Sequence, residues 1–97
     1  MCTRKDCFNR LQKAAPYIQK EYGVTSMRVF GSMARGDNHE GSDVDLFVEM
    51  PPKFLKSIHL ANYLEDLLGV SVDLIRKHSH MDEFFLNEIQ RDGIVIF

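Results

Sequence analysis

Tryptophan is absent, and the chain holds only two cysteines, Cys2 and Cys7, and three prolines. Two cysteines are too few for the disulfide framework of a small secreted domain, which predicts a cytoplasmic chain with reduced thiols. Their spacing has no later cysteine pair to complete a zinc site. No apolar run approaches the ~18 residues of a membrane span, and the N-terminus lacks the apolar segment of a signal peptide. An excess of one charge is also missing. Twelve Lys and Arg stand against 14 Asp and Glu, a formal net charge of −2. That balance argues against a general nucleic-acid binder, which is usually basic. No Gly-x4-Gly-Lys-[Ser/Thr] run occurs and the glycines lack the dinucleotide-binding spacing, so neither a P-loop NTPase nor a Rossmann domain is indicated.

What is present is an ordinary globular composition, 44% hydrophobic and 27% charged over 97 residues. The expectation is a single domain over 1–97 that buries roughly two thirds of its unfolded surface, with no room for a second, substrate-binding domain. The charge is unevenly spread. Residues 1–30 hold six bases and two acids, a balance of +4, while residues 31–97 hold six bases and twelve acids, a balance of −6. The acidic remainder suggests a localised cation site and the basic segment a partner-facing or phosphate-attracting surface. Two solvated faces of opposite sign account for the split equally well.

Periodicity divides the chain into alternating elements. Residues 3–22 read as a helix capped by Thr3, with Phe8, Leu11, Ala15 and Ile18 at helical spacing and Gly23 beyond its end. Pro16 lies inside that pattern, which predicts a kink or two shorter helices. Residues 27–30 read as a strand running into Gly31-Ser32, with a short turn or helix to Gly36. Residues 43–49 read as a second strand, stopped by Pro51-Pro52. Residues 53–68 form a helix with a stripe of Leu55, Ile58, Ala61, Leu64 and Leu68. Residues 71–75 alternate as a third strand. Ser79 can cap a last helix with Phe85 and Ile89 inward, closed by Gly93, and residues 94–97 are a final strand. The fold class is α/β (α+β): a mixed sheet covered by helices.

The stretch from Phe30 to Leu46 departs from packing logic. Asp43 and Asp45 sit two apart on a strand and so project from the same face. Two such carboxylates repel unless something positive lies between them. Clustered carboxylates with open positions suit Mg²⁺, which keeps waters and substrate phosphate oxygens as its other ligands. Asp73, on a neighbouring strand, completes a trio able to hold two ions that clamp the attacking and leaving oxygens of an in-line displacement. Gly31 lets the backbone approach a ligand, and the Ser32 hydroxyl can donate to a phosphate oxygen. Arg35 offers a guanidinium fork for a triphosphate. Taken alone, Gly31-Ser32 reads best as a tight turn, and the plain alternative for Asp43/Asp45 is a solvent-facing pair at a strand start or a turn cap; it is the combination that points to chemistry.

Gly31-Ser32, ten residues, then Asp43-Val44-Asp45 resembles the signature of the DNA polymerase beta-type nucleotidyltransferase superfamily. Gly31 to Asp37 followed by Ser42 to Leu46 resembles its minimal branch, the MNT proteins. The resemblance covers nearly the whole chain, including Val72-Asp73-Leu74. It implies a polymerase beta-like nucleotidyltransferase fold and a metal-dependent transfer of a nucleoside monophosphate from its triphosphate to a hydroxyl. Carried over by position, Asp43 and Asp45 are catalytic metal ligands. Asp73 is the third acid, which helps deprotonate the acceptor. Gly31, Ser32 and Arg35 hold the nucleotide. Many MNT proteins are antitoxins encoded beside a helical HEPN toxin, so the resemblance further implies that ATP is the donor, Mg²⁺ the cofactor and a tyrosine of a HEPN-type toxin the acceptor. Two rivals stay open: a catalytically idle nucleotide-binding antitoxin that acts by occluding its partner, and a small-molecule nucleotidyltransferase subunit.

The remaining signals are weaker. His78 and His80 invite a metal reading but sit at a strand exit, where solvent exposure is the commoner outcome. His59 reads as a helix-surface residue. His39 lies in the polar loop from Gly36-Asp37 to Gly41-Ser42, which could close over a substrate or be an ordinary turn. Phe84 and Phe85 cannot both face one core, so one of them is a candidate partner contact.

Overall fold

In a computed structural model, which describes residues 3–38 and 43–97, Thr3 opens the first helix. Its hydroxyl oxygen accepts from the Asp6 backbone N–H at 3.1 Å, satisfying one of the orphan donors of a helix start. Helix α1 runs Arg4–Tyr22 and ends on Gly23, whose φ of 67° lets its N–H reach the Gln19 carbonyl. Pro16 does not divide it into two helices. The proline lies on the exposed face, and Leu11, Ala14 and Ile18 bury on both sides of it, so tertiary packing carries the helix across the missing donor. The buried stripe is Cys7, Leu11, Ala14 and Ile18. The predicted Phe8 and Ala15 are only partly buried. Cys2, His39, Gly41 and Ser42 lie outside the described residues.

The chain continues as β1 (Ser26–Phe30), α2 (Gly31–Arg35), β2 (Val44–Glu49), α3 (Phe54–Leu68), β3 (Val72–Arg76), α4 (Glu83–Asp92) and β4 (Ile94–Val95). This is the element order expected from periodicity. The sheet order is β3-β2-β1-β4. The α3 crossover makes β2 and β3 parallel, while β1 pairs antiparallel with both β2 and β4, so the sheet is mixed. Val44, Leu46 and Val48 alternate toward one face, where they join Met27 and Val29 and the inner faces of α1 and α3 in the core. Asp45 and Phe30 therefore project from the opposite face. Among the described residues no helix is long and apolar enough to cross a membrane.

Two helices differ from the sequence expectation in detail. The buried line of α3 is Leu60, Leu64 and Leu68, while Leu55 and Ile58 are 69% and 40% exposed. Apolar residues on α3 outnumber the positions of one stripe, and the sheet selects which of two overlapping faces is buried. The last helix starts later than Ser79 predicts. Asp82 is its cap and accepts from the Phe84 N–H at 3.0 Å. Ile89 is 2% exposed and Phe85 half-buried, whereas Phe84 is 70% exposed, so the adjacent phenylalanines do face different ways. Beyond β4 the chain stays beside β1, with the Ile96 N–H donating to the Met27 carbonyl.

Part of the N-terminal positive charge serves the fold rather than a ligand. Arg4 donates from Nε and Nη2 to the carbonyls of Met33 and Ala34 at 2.8 and 3.2 Å. Arg10 donates to the Leu67 carbonyl at 3.1 Å. Each thereby satisfies last-turn carbonyls of α2 or α3, where the helix dipole also favours a cation. Arg4→Ala is expected to cost about 1 kcal/mol of stability, read as a fall in thermal midpoint of about 4–8 °C. Arg10→Ala, which removes a single exposed bond, should cost less.

Candidate active site

Backbone pairing assembles the site. In the antiparallel β1–β2 ladder Phe30 stands opposite Asp45, and in the parallel β2–β3 ladder Asp45 stands opposite Asp73. Phe30, Asp45 and Asp73 thus form one rung across three strands, with neighbouring backbones about 4.8 Å apart and side chains on a common face. Chain segments separated by a helical crossover are brought side by side, as the carboxylate reading requires. Asp43 precedes β2 rather than opening it and is exposed. It remains two residues from Asp45, on the alternation that buries Val44 between them.

Gly31 follows Phe30 with φ of 69° and begins α2. A Cβ built there would overlap the Asp45 Oδ2 atom. The glycine is required twice over, by its left-handed backbone and by the carboxylate that occupies the space a side chain would need.

Burial pushes the Asp45 carboxyl above its ordinary value, and the charges of Asp73 and then Asp43 push it the same way, while Arg35 acts in the opposite sense. The three predicted acids therefore share one electrostatic field. Among the described residues no three His, Cys, Asp or Glu side chains are gathered closely enough to enclose a metal ion. What the structure brings together is the rung and its negative field, not a closed ligand cage. The donor set fits a hard divalent cation: carboxylate oxygens only, with excess negative charge that a cation relieves.

Beside Asp45 lies a cleft of about 420 Å³. Phe30, Gly31, Ser32 and Arg35 line one side, and Phe85, Glu88, Ile89 and Asp92 of α4 line the other. The Phe85 ring meets Phe30 edge to face at a centroid distance of 5.9 Å. Arg35, the last residue of α2, is exposed and its Nε donates to Asp37 Oδ2 at 3.2 Å. An exposed pair of this kind contributes about 0–1 kcal/mol, so Arg35 can exchange Asp37 for an anionic ligand. Asp43 and Asp73 do not line the cleft.

The α4 wall is the part of the site that sequence reasoning missed, since Phe85 was assigned to packing and Glu88 and Asp92 to nothing. A signal existed: residues 85, 88, 89 and 92 share one helical face that is mixed aromatic and acidic rather than apolar. His78 and His80 are exposed, with the His80 N–H donating to His78 Nδ1 at 3.2 Å, and His59 is exposed on α3, all as expected of surface histidines.

Comparison with known proteins gives the family and the fold. The family described as Polymerase beta, Nucleotidyltransferase matches residues 12–97. A chain of Methanocaldococcus jannaschii, provisionally named a protein adenylyltransferase, is 41% identical over 88 residues, which is 89% of this chain and 90% of that one. A solved structure provisionally described as a minimal nucleotidyltransferase superposes with a TM-score of 0.82 at 30% identity, over 97% of this chain and 96% of the other. A similar fold, with a TM-score of 0.69 at 18% identity over 98% of this chain and 72% of the other, occurs in the complex of a tri-AMPylated Shewanella oneidensis HEPN toxin with its MNT antitoxin. Matched by that family over residues 12–97 and 41% identical to a relative over most of both chains, the chain belongs to the Polymerase beta nucleotidyltransferase family.

Proposed function

We propose that the protein transfers AMP from ATP, with Mg²⁺, to a tyrosine hydroxyl of a HEPN-type partner toxin and so acts as its antitoxin. The observation that carries this reading is the rung: Asp45 faces Asp73 across one ladder and Phe30 across the other, with its carboxylate against Gly31. Asp43, Asp45 and Asp73 would hold Mg²⁺, which would polarise the α-phosphate and neutralise the leaving pyrophosphate. The backbone at Gly31 and the Ser32 hydroxyl position the triphosphate, and Arg35 leaves Asp37 to pair with it. Asp73, exposed beside Asp45, draws the proton from the acceptor hydroxyl. The hydroxyl oxygen bonds to the α-phosphorus and the bond to the β-phosphate bridging oxygen breaks, releasing pyrophosphate. Phosphoryl transfer of this kind depends on position and charge more than on covalent chemistry. Two names support the acceptor class: the provisional adenylyltransferase name of the M. jannaschii relative and the AMPylated toxin in the Shewanella complex. Phe84, exposed on α4, is offered to the partner.

The expected result is a +AMP adduct on a tyrosine of a co-expressed HEPN partner, detected by mass spectrometry and dependent on ATP and Mg²⁺. ATP binding without an adduct on a neutralised partner would replace transfer by occlusion. Adducts on small hydroxylated acceptors alone would make the chain a small-molecule transferase subunit.

A further inference from the structure

The two walls of the cleft differ in charge. The α2 wall carries the Ser32 hydroxyl and the Arg35 guanidinium, whereas the α4 wall carries the carboxylates Glu88 and Asp92 beside apolar Phe85 and Ile89. On α4 a triphosphate would meet the Glu88 carboxylate, Asp92 being paired with Arg91, whereas on α2 it meets the Ser32 and Arg35 donors, and the like charge of Asp45 there is one that the proposed Mg²⁺ would offset. A nucleotide in this cleft therefore has one favourable direction, with phosphates toward Ser32, Arg35 and Asp45 and its other end toward α4.

That end meets a platform and an acceptor. Phe85 is held edge to face against Phe30 at an interplanar angle of 87°, and Ile89, buried one turn further along the same stripe, anchors the helix. The Phe85 ring is thus positioned by packing while remaining part of the cleft surface. Both carboxylate oxygens of Asp92 accept from Arg91 at 3.1 Å. Glu88 accepts no hydrogen bond among the described residues and is exposed, so its oxygens are open to a ligand. An ionised carboxylate only accepts, and so it favours a ligand edge that presents N–H groups over one that presents carbonyl oxygens or bare ring carbons. A flat ring with an exocyclic amino group satisfies both surfaces.

We propose that the α4 wall is the nucleobase subsite, in which the base lies against Phe85 and Glu88 accepts from the 6-amino group of adenine. The inference rests on the proposed nucleotide-binding role of the cleft and adds which residues choose the base. It is tested by calorimetry on the intact chain with Mg²⁺ and no acceptor, using ATP, purine riboside triphosphate (which lacks the 6-amino group) and inorganic tripolyphosphate. The unaltered protein should bind ATP about tenfold more tightly than purine riboside triphosphate, as expected for one partly solvated hydrogen bond to a charged group. Glu88→Ala should bring that ratio close to one without weakening tripolyphosphate binding. Phe85→Leu, which keeps apolar volume without an aromatic face, should weaken both nucleotides alike by about tenfold and spare tripolyphosphate. Equal binding of the two nucleotides by the unaltered protein, or undiminished discrimination in Glu88→Ala, overturns the subsite. Failure of the unaltered protein to bind ATP or tripolyphosphate overturns the nucleotide reading itself, and the subsite with it.

Discussion

Asp45→Asn and Asp43→Asn are expected to lower the rate of AMP transfer by about 10³-fold or more, the scale on which removal of preorganised charge acts in such reactions, while the domain stays folded. Asp45 stands at the centre of the rung, between Phe30 and Asp73. Its stability effect should run opposite to its activity effect. Burial and the neighbouring acids raise its pKa above 3.8 in the folded state, so the folded protein holds this proton more tightly than the unfolded chain does. The ionised carboxylate therefore costs stability. That cost is absent below the unfolded value and complete once the pH exceeds the raised one. Asp45→Asn removes it, and at neutral pH should stabilise the metal-free domain by about 0.5 kcal/mol after solvent screening, or about 2–4 °C. The advantage should vanish in acid. Mg²⁺ binding, which requires the ionised form, should weaken as the pH falls through the raised value, earlier than for an ordinary aspartate. Labelled-AMP transfer and thermal denaturation across pH check both halves. Transfer at the unaltered rate in Asp43→Asn would remove that residue from the metal site, and a lowered midpoint in Asp45→Asn would contradict the account from burial and like charge.

The legible parts of this molecule were those that local chemistry specifies. Thr3 and Gly23 bound α1 because an N-cap oxygen and a left-handed glycine act within one turn. The β1–Gly31–Ser32 turn and the carboxylate strand were read from alternation and spacing. That reading also required Asp73 to reach Asp45, and the parallel β2–β3 register places them opposite each other. What stayed hidden was decided by tertiary contacts. Which face of α3 is buried depends on where the sheet lies beneath it, so Leu55 and Ile58 gave way to Leu60. The roles of Arg4 and Arg10 depend on α2 and α3 ending within their reach, 29 and 57 residues away in the chain. Glu88 and Phe85 belong to the cleft only because α4 packs against β1 and α2. A charge count read from sequence sees those arginines as surface and that glutamate as solvated face, since it has no access to what comes near them.

Gly31→Ala should damage both stability and transfer, and Gly36→Ala shows why. Both glycines have positive φ, 69° and 84°, so alanine at either is expected to cost about 1–2 kcal/mol of backbone strain. At Gly36 a Cβ meets nothing within 4 Å, whereas at Gly31 it overlaps Asp45 Oδ2. Gly36→Ala should therefore lose stability and keep transfer. Gly31→Ala must displace the carboxylate as well, and a misplaced group at the reacting centre costs about 10²-fold in rate, added to a stability loss larger than that of Gly36→Ala. The two causes separate in an Asp45→Ala background. There the carboxylate is gone, and the nearest remaining atom of that side chain, its Cβ, lies at 3.4 Å from the added methyl, within ordinary contact. Strain alone remains, so the cost of Gly31→Ala measured by chemical denaturation should fall to that of Gly36→Ala, a coupling between neighbours that a double-mutant cycle reads directly. An equal cost in both backgrounds would mean that backbone strain, and not the carboxylate, is what keeps a side chain out of position 31.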